Sequence, residues 1–417
     1  MRLNIIAAVG LALAPSVAVV AGAHRQRLYH VTDLGALGYN SSAYDLNDTG
    51  HVVGSTQPPG AGSVAFLWRP STGMESIGAF PRPGYRTTEA TAYAINNSAV
   101  VVGVSRGANG LEAFIRTAEH GMVGLGDFSD GPFGSRAIAV NDAGYIVGTG
   151  TRGTTDASWS EAAMWTPDRE MIGLGDLPGG ALYSGAGGIN NLLQVVGAST
   201  GSTGTQGFIW DPENGMQPMP PTPWGVLTHG TFDINDAGQM CGRLTNAVAF
   251  FYDPQTGYEQ IGLFANSLST TGVALNEHGE VVGQTTLFDP WLAYRGWVWD
   301  AQRGLRMLDE CLAAGSVLPG WEQFIVSAYG INERGQIAGQ TVNIAILLTP
   351  FTPADVNCDG VVDAFDIDPF VAVLADPDAH EATQWDCPSI NAADVNQDGR
   401  ANNFDIDPFV AALLMGG

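Results

Sequence analysis

The chain has 417 residues, a length that accommodates two or three domains. Its 55 Gly and 23 Pro, with only 14% charged residues, favour short strands and tight turns over long helices, while a hydrophobic fraction of 45% supports a packed core and excludes wholesale disorder. All 17 basic residues are Arg; against 42 acids they leave a net charge of −25, which excludes nucleic-acid binding by phosphate neutralisation and adhesion to anionic membranes, and favours cations.

The first element is an export signal. Arg2 precedes an almost wholly apolar run from Ile5 to Ala23, and Ala21-Gly22-Ala23 forms a small-x-small cleavage site. An uncleaved membrane anchor fits less well, because Pro15 interrupts the run, Arg25 and Arg27 follow it, and no further span occurs downstream. Residues 1–23 are therefore expected to be removed, leaving a secreted chain that begins at His24 with no membrane span. Export also permits disulfides among Cys241, Cys311, Cys358 and Cys387.

A repeat follows. An apolar residue, Asn, a turn and then two apolar residues ending in Gly recur with Asn at positions 47, 96, 141, 190, 235, 276 and 332, each seven residues before Gly54, Gly103, Gly148, Gly197, Gly242, Gly283 and Gly339. The run before each Asn alternates as a strand, Asn-Asp-x-Gly supplies a turn through Asx bonding and positive φ, and Val-Val-Gly returns as a second strand. An apolar third strand such as Ala65-Phe66-Leu67-Trp68 and a fourth such as Gly73 to Gly78 complete each unit. Four short strands in about 45 residues mark a propeller blade.

The last unit lacks its fourth strand, which Pro350 and a linker replace, whereas Tyr29 to Gly35 is a spare fourth-strand sequence at the other end. Pairing the two closes a seven-bladed ring without exposed sheet edges, over residues 24–350. An open stack of β units is the competing arrangement. The Asp-Leu-Gly opening, the Ile-Asn-x-x-Gly-x-Val-Val-Gly core and the Ala-Phe-Leu-Trp strand resemble the bacterial extracellular repeat family called HAF, over residues 29 to about 350. The family's His is replaced here by Val64, Glu112, Gln206 or Val248. The resemblance implies an extracellular protein and no particular reaction.

Catalytic signatures are not evident in the repeats. No His-Glu-x-x-His helix, Gly-x-Ser-x-Gly elbow or phosphate loop occurs, and the acids Asp48, Asp142, Asp236 and Glu277 read as residues that cap their own turns. The loops from the fourth strand of one blade to the first of the next each carry an aromatic residue: Tyr39, Tyr85, Phe133, Tyr183, Trp224, Phe264 and Trp321. Trp159 and Trp291 belong to loops between second and third strands, on the same face. Such rings either plug the gaps between blades or stack on a ligand, and packing is the default for repeat-equivalent aromatics.

After Pro350 the composition shifts to 13 acids and a single Arg, Arg400. Asp355, Asn357, Asp359, Asp363 and Asp366 occupy positions one, three, five, nine and twelve of a loop with Gly360 at six. Asp394, Asn396, Asp398, Asn402 and Asp405 repeat the pattern around Gly399. With the carbonyls of Val361 and Arg400 at position seven, each loop wraps oxygens around one Ca²⁺, giving two ions. Two such loops, each followed by one helix (367–374 and 406–414), resemble the type I dockerin domain, with Asp in place of the usual EF-hand Glu at position twelve. The resemblance implies calcium binding, and with it attachment through the tail to a protein partner, cohesin-like or other. The residue pairs that commonly select that partner are Ala364-Phe365 and Asn403-Phe404 here, where dockerins often carry small hydroxylic residues. Cys358 and Cys387 flank the segment between the loops, and a bridge between them would stabilise this small module by roughly 3–4 kcal/mol. Cys241 reads as a buried thiol, although a bridge to Cys311 stays open.

The expectation is thus a mainly β, seven-bladed propeller closed by its N-terminal strand, with a small helical calcium module over 351–417. Its function reads as secreted, non-enzymatic recognition of a glycan or protein, with attachment through the tail. A polysaccharide-degrading enzyme carrying a dockerin is the alternative.

Overall fold

The computed structural model describes residues 27–414 except 83, 85–87, 131, 133, 155–156, 226–227, 289–291, 314–315, 321–323, 358–361, 377–391 and 397–399. The leader and its cleavage site lie outside these residues.

Seven four-stranded antiparallel sheets form the ring. The first six are built from consecutive strands, blade one from Ser41–Leu46, Val52–Thr56, Val64–Arg69 and Gly73–Gly78. The seventh combines Ser327–Ile331, Ile337–Gln340 and Ala345–Phe351 with Leu28–Asp33 from the other end of the chain. There Leu28 pairs with Phe351 and Asp33 with Ile346, so the spare strand sits where the sequence places it. The third strand of this blade runs through Pro350 rather than stopping before it, and Pro350 pairs with Tyr29.

The core lies between blades. Val53, Ala65 and Leu67 of blade one pack on Ala90, Ala92, Val101 and Phe114 of blade two, and Ala338, Ala345 and Leu347 of blade seven pack on Ala43, Val52 and Phe66. This explains the invariant end of the repeat. A Cβ on Gly54 would stand 1.9 Å from the carbonyl oxygen of Ser42 and 2.8 Å from the Phe66 ring, and the six equivalent glycines are similarly crowded by the carbonyl of the inner strand. Only Gly lets the first and second strands approach this closely, in five of the blades beneath an aromatic ring of the third.

Every inner strand carries a one-residue bulge at the same place, the extra residues being Tyr44, Tyr93, Ile138, Gly187, Phe232, Val273 and Tyr329. Buried hydroxyls bolt the blades together. Ser135 donates to the carbonyl of Gly126 at 2.6 Å and accepts from the amide of Ala113 at 3.0 Å; Ser41, Ser184 and Thr270 do the same at their own seams.

In the tail, helices Ile367–Ala375 and Ile406–Leu414 each follow a single 3-10 turn. Phe370 and Phe409 stack with centroids 3.8 Å apart and planes 2° from parallel, on a small core with Val356, Val362, Val373 and Ala412. Among the described residues no helix is long and apolar enough to cross a membrane.

Candidate functional site: the axial channel, the loop face and the acidic tail

The repeat Asn side chains converge on the axis because each turn directs one carboxamide at the next blade. Asn47 Nδ2 donates to the carbonyl of Asn96 at 3.0 Å, Asn96 to that of Asn141, and so on through Asn190, Asn235, Asn276 and Asn332. Asn332 returns the bond to Asn47, closing a ring of seven. The oxygen of each carboxamide stays within its own turn, as where Asn47 Oδ1 accepts from the amides of Thr49 and His51. All seven are buried.

A second ring overlies the first, and it corrects the reading of the turn acids. Asp48 does not cap its own turn: its Oδ1 accepts the amide of Glu333 in the preceding blade at 3.0 Å. Asn97, Asp142, Asn191, Asp236, Glu277 and Glu333 take the equivalent amides around the ring at 2.7–3.1 Å. Five of these seven acceptors are acids, crowded at the mouth of a cavity floored by Leu46, Ile95, Val140, Ile189, Ile234 and Ile331. Burial raises the Glu333 carboxyl, and the charges of Asp48 and Glu277 add to the rise. Among the described residues no group of three or more His, Cys, Asp or Glu side chains is placed to hold a metal ion.

Further along the axis lie residues that sequence reasoning missed. Tyr44 packs against Tyr329 and Tyr93, with centroids 5.2 and 5.7 Å away and planes inclined by 52° and 64°. The next position carries Asp45 in blade one and Asp233 in blade five; the other blades have Ala or Gly there. Asp45 Oδ2 accepts the amide of Ile95 at 2.9 Å, and Asp233 Oδ2 that of Leu275 at 3.0 Å, each in the following blade. Desolvation in the channel wall pushes both carboxyls up to about 7, and the charge of Asp233 contributes to the rise at Asp45. The signal available in the sequence was Asp at two of seven otherwise small repeat positions.

On the opposite face, Tyr39 and Tyr183 are 68% and 47% exposed and do not plug the gaps between blades, while Trp224 is 41% exposed with its ring set edge-to-face against Tyr258 of blade five. Phe264 does plug its gap, packing beside Ile261 and Leu275. Tyr183 and Trp159 belong to strands, Gly179–Ile189 and Ala157–Trp165, rather than to loops, because blades three and four extend their strands outward. Tyr85, Phe133, Trp291 and Trp321 fall outside the described residues. Cys241 and Cys311 are buried and not joined in a disulfide; burial raises the Cys241 thiol. Cys358 and Cys387 are not among the described residues.

In the tail loops Asp355, Asp366, Asp394 and Asp405 are buried carboxylates. Asp366 Oδ1 accepts the amides of Val356 and Asn357 at 2.7 and 3.0 Å, and its Oδ2 that of Asp363 at 2.9 Å. Asp405 takes the amides of Asn396 and Asn402 in the same way, both at 2.9 Å. Asp363 and Asn402 cap the 3-10 turns by accepting the amides of Phe365 and Phe404. The position-twelve carboxylates thus draw their own loops closed, and the buried donors, all oxygen, suit a hard cation such as Ca²⁺. Arg400 is described; Asp359, Val361 and Asp398 are not.

The fold defines a seven-bladed propeller with an appended helical tail, and the tail is dockerin-like: the model of the dockerin type I domain matches residues 353–413. Domains of that family generally bind calcium and protein partners. No curated protein matches the chain. Among solved structures, an oligogalacturonate lyase from Vibrio parahaemolyticus is 13% identical over 78% of this chain and 93% of its own, with a TM-score of 0.47. A streptogramin B lyase is 12% identical over 78% and 98%, at 0.42. The WD40 propeller domain of Doa1 is 11% identical over 77% and 97%, also at 0.42. Likenesses this distant transfer no property to the chain.

Proposed function

We propose that the protein is a secreted, non-enzymatic recognition module whose propeller binds a glycan or protein and whose dockerin-like tail, ordered by two calcium ions, attaches it to a protein partner of cohesin type. The observation that carries this reading is the dockerin type I match over residues 353–413 on a chain whose remaining described part is a propeller. Exposed Tyr39, Tyr183 and Trp224 on the loop face support the binding role, since aromatic rings left in solvent stack readily on sugars or fill partner pockets. The HAF-like repeat and the leader over residues 1–23 support export. The ligands of the ions are taken to be Asp355, Asn357, Asp359, Val361, Asp363 and Asp366 in one loop, and Asp394, Asn396, Asp398, Arg400, Asn402 and Asp405 in the other, Val361 and Arg400 through their carbonyls.

A glycan panel tests the propeller. The mature chain is expected to be retained on at least one polysaccharide without releasing reducing ends, and Trp224→Ala to weaken retention. Release of reducing ends that a single Asp or Glu substitution abolishes would make the protein an enzyme instead.

A further inference from the structure

We propose that the axial channel binds an organic ammonium group, held against the aromatic wall of Tyr329, Tyr44 and Tyr93 and neutralised by Asp45 and Asp233. The proposal deepens the reading of the propeller as a binding module and rests on it.

The wall comes from the bulge. In blade one Ala43 and Leu46 enter the core between blades, whereas Tyr44 and Asp45 between them stay half-buried on the inner strand. Tyr329, Tyr44 and Tyr93 occupy the same bulge position in three consecutive blades, and their mutually inclined rings form one continuous aromatic surface. Phe232, exposed at the bulge of blade five, stands on the far side of the ring. Inclined rings at one level of the ring suit a cation better than a flat sugar ring, because an aromatic face presents its negative quadrupole.

The carboxylates are placed for the same ligand. Blades one and five are nearly opposite in a ring of seven, so Asp45 and Asp233 approach the axis from two sides. Each has a Gly at the matching position of the preceding blade. A Cβ on Gly330 would come within 3.0 Å of Asp45 Oδ1, and one on Gly188 within 3.0 Å of Asp233 Oδ1. Both acids accept amides of the following blade, yet the repeat does not demand an acid at this position: the bulges of blades three, four, six and seven are followed by Ala or Gly, as is that of blade two. None of the bulge positions, nor the positions after them, carries a basic residue that would neutralise the pair.

The surroundings also set the pH dependence. Asp45 faces the amides of Leu46 and Ile95 and the charge of Asp233. Asp233 faces the amides of Ile234 and Leu275, the carboxyls of Glu277 and Glu333, and the thiol of Cys241. An ammonium ion favours the ionised pair, so it binds more tightly above about pH 7 and releases protons as it binds.

The test is calorimetric titration of the full mature chain with tetramethylammonium and choline chlorides, in saturating calcium, against sodium chloride at equal ionic strength. Saturable binding at one site is expected, weaker by about tenfold at pH 5.5 than at pH 8. Tyr44→Phe, which keeps the aromatic face, should retain it, whereas Tyr44→Leu should weaken it about tenfold. Asp45→Asn with Asp233→Asn, which preserves side-chain shape, should remove both the binding and its pH dependence. No saturable heat from the wild-type chain would overturn the proposal, as would unchanged affinity in the double Asn variant, or a channel that takes a neutral sugar or a divalent metal and no ammonium. Retention on glycans through Trp224 is read separately, so failure here leaves the broader binding role distinguishable.

Discussion

Asn332 donates its carboxamide to the carbonyl oxygen of Asn47 at 3.0 Å although 285 residues separate them. This bond is the seam of the ring. The six others join blades already linked by the chain, while this one, with the amide of Glu333 on Asp48 and the strand Leu28–Asp33, closes it without a covalent link. Asn332→Asp keeps the oxygen that accepts the amides of Arg334 and Gln336, but replaces the donor with a second, charged oxygen facing the Asn47 carbonyl and Gln336 Oε1. It should lower stability by about 1–3 kcal/mol, since it leaves the Asn47 carbonyl unsatisfied in a buried site. Thermal melting checks this, and an unchanged melting temperature would remove the ring from the account of stability.

The closing strand carries more than one bond. Tyr29 is fully buried with Leu308, Cys311 and Ile325, and Arg27 pairs with Glu280 of blade six. A chain beginning at Asn40 loses these contacts and exposes the edge of Ala345–Phe351. It is expected to melt well below a chain beginning at His24 and to associate through the open edge, which light scattering would detect. Equal melting temperatures would contradict closure by this strand.

How far the sequence speaks follows the range of each interaction. Asn47 and Gly54 were legible because their reasons are local, an Asx turn and a crowded hairpin, and they recur seven times. The partner of Asp48 was not legible, because it stands in another blade; turn chemistry within one repeat assigns that carboxylate to its own backbone. Tyr44 and Asp45 were hidden by the bulge, which shifts the alternation of the inner strand by one residue and turns two adjacent side chains from the core toward the axis. Tyr183 and Trp159 read as loop residues from their place between the strands of the repeat, whereas longer strands carry blades three and four outward.

The paired aspartates give stability a pH dependence of definite sign. Their carboxyls stand at about 7 in the folded protein and near the ordinary aspartate value of about 4 when unfolded. Between these values the folded chain binds more protons than the unfolded one, so the contribution of the pair to stability is full below pH 4 and falls as pH rises through 7. Asp45→Asn with Asp233→Asn should remove that fall. Relative to wild type, the double variant is expected to gain several degrees in melting temperature at pH 7.5 compared with pH 5; a difference independent of pH would show that the pair does not titrate in this window.

Calcium should act on the tail through the same carboxylates that already close its loops. Thirteen acids lie in residues 351–417 against Arg400, and Phe370 stacked on Phe409 centres a core too small to outweigh much repulsion. Metal binding to the folded loops stabilises them by mass action, so chelation should reduce the helix signal of the full chain and calcium should restore it. Magnesium should restore it poorly, because it keeps its waters and prefers a tighter octahedron. Calorimetry of the full chain is expected to count two ions. Asp366→Ala and Asp405→Ala should each lose one ion and also loosen a loop. Asp366→Asn comes nearer to separating the two effects: it keeps an oxygen for the amides of Val356 and Asn357, gives up only the bond from the amide of Asp363, and cannot clamp the metal with two oxygens. It should therefore weaken calcium at its loop while preserving more of the helix signal at saturating calcium than the Ala variant does. Undiminished affinity in Asp366→Asn would assign the carboxylate to the backbone alone, and a full chain that takes up no calcium would refute the two-ion tail.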